Sequence, residues 1–165
     1  MSIYDVLCHE HYVIKACLKK IGDLGMRKPV TRRRRFLELQ ALLAAHAAAE
    51  EEIFYMPLRQ YGEAEGLSRA GRIQHDLAGS LMEVLAGLPP LDPDWSAYFA
   101  VLRENVEAHM HHEEKELFKL ARKIFDAETE VRMGEEMRLV GQGIEAMAIV
   151  EIQEPAGSPG SQSLH

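Results

Sequence analysis

Apolar residues recur at spacings of three and four along most of the chain. Tyr4, Leu7, His11, Ile14, Leu18 and Ile21 form one such stripe, and Phe36, Leu39, Leu43, His46, Glu50, Ile53 and Pro57 form a second. Gly71, His75, Ala78, Met82 and Leu85 make a third. A fourth runs through Phe99, Leu102, Val106, His109, Glu113, Leu117, Leu120 and Ile124. Nothing alternates with period two, so no strand is expected. Breaks fall at Gly22, Gly25 and Pro29, at Gly62 and Gly66, and at the run Leu88 to Pro93. The pattern predicts helices near residues 3–22, 31–60, 67–87, 93–125 and 128–148. Ser2 with Asp5 suits a capping box, and Asp92 followed by Pro93 suits an N-cap with a first-turn proline. Four one-sided stripes joined by short connections predict an all-α, antiparallel up-down four-helix bundle with an additional C-terminal helix. Met133, Val140, Ile144 and Met147 give the fifth segment its own stripe, which caps the bundle or pairs two copies into a homodimer.

Composition narrows this picture. The chain has 165 residues, of which 47% are hydrophobic and 27% charged, enough for one domain with a real core. The expected domain spans 1–150, with the bundle core at 3–126. A Gly, Ser, Pro and Gln-rich tail at 153–165 is expected to be disordered. Nineteen Lys and Arg against 26 Asp and Glu leave a net charge of −7, which argues against a nucleic-acid partner. No run of about 18 apolar residues suggests a membrane span. No secretory signal opens the chain, and two cysteines are too few for a disulfide framework, so a cytoplasmic protein is expected. Cys8 and Cys17 fall about half a turn out of phase on one helix and are read as packing residues. Arg32 to Arg35 form a basic cluster at a helix start, read as a solvated, partly ion-paired face.

The stripes contain residues that do not belong in a core. Burying an ionised carboxylate without a partner is too costly to serve stability alone. Glu50 and Glu113 need partners, as do His11, His46, His75 and His109. Histidines bonded only to neighbouring carboxylates are one solution. The spacing favours a metal. His46 and Glu50 lie one helical turn apart, and His109 and Glu113 repeat that spacing. His11 lies 35 residues before His46, and His75 lies 34 before His109. Two similar halves each offer two imidazoles and a carboxylate, a mixture that non-haem iron accepts with positions left open. Facing each other in a bundle, they would form a two-metal site that the glutamates are placed to bridge.

With Glu10-His11-Tyr12-Val13, the run His46 to Pro57, Gln74-His75-Asp76 and the run His109 to Phe118, the chain resembles the hemerythrin-like, or HHE cation-binding, family of non-haem di-iron bundles. The resemblance covers about Tyr4 to Phe125. It implies His11, His46, His75 and His109 as metal ligands, Glu50 and Glu113 as bridging carboxylates, and two iron ions as cofactor. It implies binding or sensing of dioxygen, peroxide or nitric oxide. A di-iron peroxidase-type enzyme, or iron storage, delivery and cluster repair, are the alternatives, so enzymatic activity stays open. Oxygen-carrying members carry another histidine four residues after the third-helix one, where this chain has Gly79. That departure points away from simple reversible carriage. Iron-cluster repair members also carry a cysteine-bearing N-terminal module, and sensors an attached partner domain. Neither is expected here.

Other residues near the stripes are read more plainly. His9, His111 and His112 are expected at the surface, and Glu10, Glu51 and Glu114 in solvent. Tyr55 is expected to pack, although a tyrosine there could also donate a hydrogen bond to a bound small ligand. Pro57 is expected to kink its helix.

Overall fold

The computed structural model describes the backbone of residues 1–153 and the side chains of residues 1–141. All but the first residue of the expected tail at 153–165 lie outside the described residues, as do the side chains of Ile144 and Met147. Five helices and no strand occur among the described residues. Helix α1 is Ile3–Leu24, opened by the expected box: Ser2 Oγ accepts the Asp5 N–H, and the Asp5 carboxylate accepts the Ser2 N–H. Gly25, at φ 54, ends it in a conformation that glycine adopts without strain. Helix α2 covers residues 29–58, as an α-helix Pro29–Glu50, a π-helical turn Glu51–Tyr55 and a last α turn Met56–Leu58. Helix α3 is Gly62–Gly87. Helix α4 covers residues 93–124, as Pro93–His112, a second π turn Glu113–Leu117 and Phe118–Ile124. The Asp92 carboxylate caps it by accepting the Asp94 N–H at 2.9 Å. Helix α5 is Ala127–Gln153.

Two expectations need correction and one is refined. Helix α3 starts five residues before the expected 67. Glu63 and Glu65 suit the positive end of its dipole, and the fully buried Ala64 fixes its first turn. Beside Pro57 the irregularity of α2 is a π turn that lies just before the proline, where the Met56 N–H reaches five residues back to the Glu51 carbonyl. Arg32 is not solvated: it is 1% exposed, lies 4.1 Å from the Trp95 ring centroid and donates to the Gly25 carbonyl.

Helix α1 packs on α2 and α5, α2 on α3 and α5, and α3 on α4. The expected stripes face inward, but the apolar core is in two pieces. Ile3, Tyr4, Leu7, Phe54, Leu58 and Phe118 gather at one end, with Met133 and Met137 of α5. Ile14, Leu18, Phe36, Leu39, Met82, Trp95, Phe99 and Leu102 gather at the other. Between Leu7 and Ile14 on α1 comes His11, so a polar layer crosses the bundle where the two apolar pieces separate. Met133 of the α5 stripe is buried, whereas Val140 is 43% exposed and Met137 takes the inward position. The fifth helix lies on this chain's own α1 and α2.

Candidate metal centre

The polar layer is assembled from all four bundle helices. Helix α1 brings His11, α2 His46 and Glu50, α3 His75, and α4 His109 and Glu113. Every one of these six side chains is at least 85% hidden from solvent, His75 being the most open at 12%. Glu50 Oε2 lies 3.6 Å from His46 Nε2 and 3.3 Å from His75 Nε2. Glu113 Oε2 lies 3.4 Å from His11 Nε2 and 3.9 Å from His109 Nε2. Each carboxylate therefore reaches one histidine from each half of the sequence. Donor atoms of His11, His46 and Glu50 lie within 4.8 Å of one another, and so do those of Glu50, His75 and His109. Glu50 completes both groups.

The outer nitrogens are spoken for. His11 Nδ1–H donates to Glu114 at 2.8 Å, His46 Nδ1–H to Glu10 at 2.7 Å, and His109 Nδ1–H to Gln74 at 2.8 Å. Those acceptors place the proton on Nδ1 and leave each Nε2 lone pair aimed inward. None of the four Nε2 atoms, nor any of the four oxygens of Glu50 and Glu113, has a hydrogen-bond partner. Eight converging, buried, unpartnered donor atoms would be a heavy desolvation cost in a merely structural core. They are the borderline and hard donors that a pair of transition-metal cations takes, and the residues present fit that load.

The electrostatics without a cation show the same tension. Burial pushes the Glu50 carboxyl up, and the neighbouring Glu113 charge adds to it. Burial acts on Glu113 too, but the His11 ring 3.4 Å away and the other imidazoles around it outweigh it and hold that carboxyl below the usual range. Two carboxylates in one dry layer cannot both be ionised cheaply, so they split. Burial pulls on the His11 imidazolium, yet Glu113 and Glu114 outweigh it and raise its pKa to about 9. Burial pushes His109 down to about 3 and His75 down as well.

Sequence comparison matches residues 2–121 to the family described as the hemerythrin HHE cation-binding domain. The chain belongs to that family. Its relatives include the uncharacterized proteins Rv2633c of Mycobacterium tuberculosis and Mb2666c of Mycobacterium bovis, each 28% identical over 143 residues, 83% of either chain. The solved crystal structure of a hemerythrin HHE cation-binding domain-containing protein, the Rv2633c homolog from Mycobacterium kansasii, superposes with a TM-score of 0.78. It is 24% identical and covers 93% of both chains, a likeness of fold.

The HHE residues expected from the sequence all meet in one layer, and other residues join them. Glu10 and Glu114, expected in solvent, are the hydrogen-bond partners of His46 and His11. Gln74, which the sequence offers only as the neighbour of His75, is the partner of His109. The signal was there: Glu10 and Gln74 each directly precede a stripe histidine. Glu51 is no donor to the layer and pairs with Arg59 at 2.6 Å. Tyr55 does more than fill space. It is fully buried, its ring is stacked on His75 with centroids 5.6 Å apart, and its hydroxyl has no partner. The π turn puts it below Glu50, and Gly71 makes room for it, since a Cβ there would come 2.5 Å from the hydroxyl. His9, His111 and His112 are exposed as expected, whereas Cys8 is exposed and Cys17 half-buried.

A largely apolar cavity of about 210 Å³ opens beside the layer. His46, His75 and His109 form its floor, with Leu43, Met82 and Val106 in the walls. Gly79 also lines it, and a Cβ there would meet nothing within 4 Å. The space that a histidine at this position would use is part of the cavity.

Proposed function

We propose that this HHE domain is a non-haem di-iron protein that binds or senses a small ligand, namely dioxygen, peroxide or nitric oxide. The observation that carries this reading is the set of eight unpartnered donor atoms, grouped as two imidazole pairs sharing Glu50 and Glu113. His11 and His46 would hold one iron, His75 and His109 the other, and the two glutamates would bridge them. Iron held there supplies a redox couple with open coordination positions, the chemistry such small ligands require.

The chain's own residues account for the rest. The Nδ1 partners fix His11, His46 and His109 in the tautomer that presents Nε2. The apolar cavity admits a small neutral molecule to the His75 and His109 side while excluding bulk water from the layer. The buried Tyr55 hydroxyl stands beside His75 as a hydrogen-bond donor. Gly79 keeps the cavity open and leaves one protein ligand fewer on that side.

The test is anaerobic loading with ferrous iron, removal of excess, a count of iron per chain, and then exposure to dioxygen. Two irons per chain are expected, falling in His46→Ala and in His109→Ala, with an absorption change on exposure. No bound iron would overturn the reading. Two irons with no absorption change and no oxidation would keep the metal site and remove the ligand.

A further inference from the structure

The two halves of the layer are related by a simple shift in sequence, which makes their differences legible. His46, Glu50 and Tyr55 correspond to His109, Glu113 and Phe118, each 63 residues on. Phe118 stacks on His11 with an interplanar angle of 14°, as Tyr55 stacks on His75 at 16°. The residue before the first histidine of each half accepts from the second: Glu10 from His46, Gln74 from His109. The residue after each glutamate should accept from the first histidine of the other half. Glu114 does so, at 2.8 Å from His11 Nδ1. Glu51 does not, because Arg59 holds it. His75 Nδ1 has no side-chain acceptor among the described hydrogen bonds.

The symmetry is thus broken at two positions, both in the same direction. On the His11 and His46 side, two carboxylates back the two imidazoles. On the His75 and His109 side, one neutral amide backs one imidazole. A carboxylate acceptor makes the imidazole a stronger donor and adds negative charge behind the cation, whereas an amide does less of both. Access differs in the same sense. His46 lines the cavity together with His75 and His109, but the His11 and His46 side chains are only 0% and 2% exposed, against 12% and 6% for His75 and His109.

We propose that the centre is two unequal cation sites: a more deeply buried, carboxylate-backed site at His11 and His46 that fills first and holds its ion, and a weaker, more open, exchangeable site at His75 and His109, both of which line the cavity. Glu10 and Glu114 are the positioning residues that set this order, and Gln74 and the Glu51–Arg59 pair are what weaken the second site. This rests on the two-cation reading above and adds which ion is the labile one.

Anaerobic titration of the full chain with cobalt(II), followed through its ligand-field absorption, separates the possibilities. Two steps are expected. Repulsion between two cations would produce two steps even in equal halves, so the variants decide. Glu10→Gln should weaken the first step by about tenfold or more and leave the second where it was. Gln74→Glu should strengthen the second step by a similar factor, and Arg59→Gln, which frees Glu51 for His75, should act in the same direction. If the halves are equal, the first ion simply moves to the undamaged half: Glu10→Gln then leaves the first step unchanged and weakens the second, which overturns the proposal. A strengthened first step in Gln74→Glu would overturn it too. Absence of any cobalt binding would sink the two-cation reading itself, a different failure.

Discussion

Glu50 shows at the scale of one residue how this chain trades stability for a site. Its carboxylate is fully buried, both oxygens lack a hydrogen-bond partner, and Glu113 shares the same dry layer. A carboxyl whose folded pKa is raised above its unfolded value binds its proton more tightly in the native state. Its cost to stability therefore appears as pH climbs past the unfolded value and grows until the folded one is reached. Glu50→Gln keeps the shape and removes that cost. At neutral pH the metal-free variant should be more stable than the parent, by of order 1 kcal/mol, in line with other exchanges of buried charge. The same variant should bind at most one iron and lose most of the stabilisation that iron gives the parent, about 2.7 kcal/mol at a hundredfold excess over the dissociation constant. Thermal melts with and without ferrous iron read both effects. A metal-free melt lowered by the substitution would show that the carboxylate supports the fold directly.

At the scale of helices, the distinguishing device is the π turn that follows each glutamate. Met56 N–H bonds to the Glu51 carbonyl and Phe118 N–H to the Glu113 carbonyl, so each helix carries one extra residue in a turn. That residue turns Tyr55 and Phe118 inward beneath the carboxylates. Pro57 stands close by, and from the sequence it is the obvious source of irregularity. The second turn has Leu120 at the corresponding position and forms without any proline. Pro57→Ala should therefore keep the π turn and the iron stoichiometry, and cost only about 0.4–1 kcal/mol through the added freedom of the unfolded chain. Denaturation and iron counts on the variant check this, and lost iron would make the proline the cause of the turn. The same comparison shows what the sequence discloses. The helices and the six candidate donors are legible because the steps of three and four are unbroken through His11, His46, Glu50, His75, His109 and Glu113. The π turns are not legible, because one extra residue in a helix leaves no compositional mark. Glu10, Glu114 and Gln74 flank the stripes, and only the angles at which the helices pack decide that they reach histidines rather than water. Arg32 sits in a run of four arginines, and nothing in the run singles out the one beneath Trp95.

For the whole molecule, α5 bears on the layer as well as on the core. It runs beside α1 in the same direction, with Gly134 against the first residues of the chain and Gly141 against Glu10. A Cβ at Gly134 would lie 2.5 Å from the Met1 carbonyl oxygen, and one at Gly141 would lie 3.2 Å from Glu10 Oε1. The first contact is with backbone that a capping box already holds in place, so it cannot yield cheaply. The second is with the carboxylate that orients His46. Gly134→Leu should thus lift the start of α5 away from Ile3 and uncover Met133 and Met137. The expected loss is about 1–3 kcal/mol, typical of forcing atoms into a packed contact. Helical content should be retained, because the substitution replaces glycine with a better helix former. Because α5 packs on its own chain, this loss should be the same at low and high protein concentration. Urea denaturation followed by circular dichroism at two concentrations a hundredfold apart reads it. A loss that grew on dilution would instead place the contact between copies, with α5 acting as the pairing element that its apolar stripe also allows.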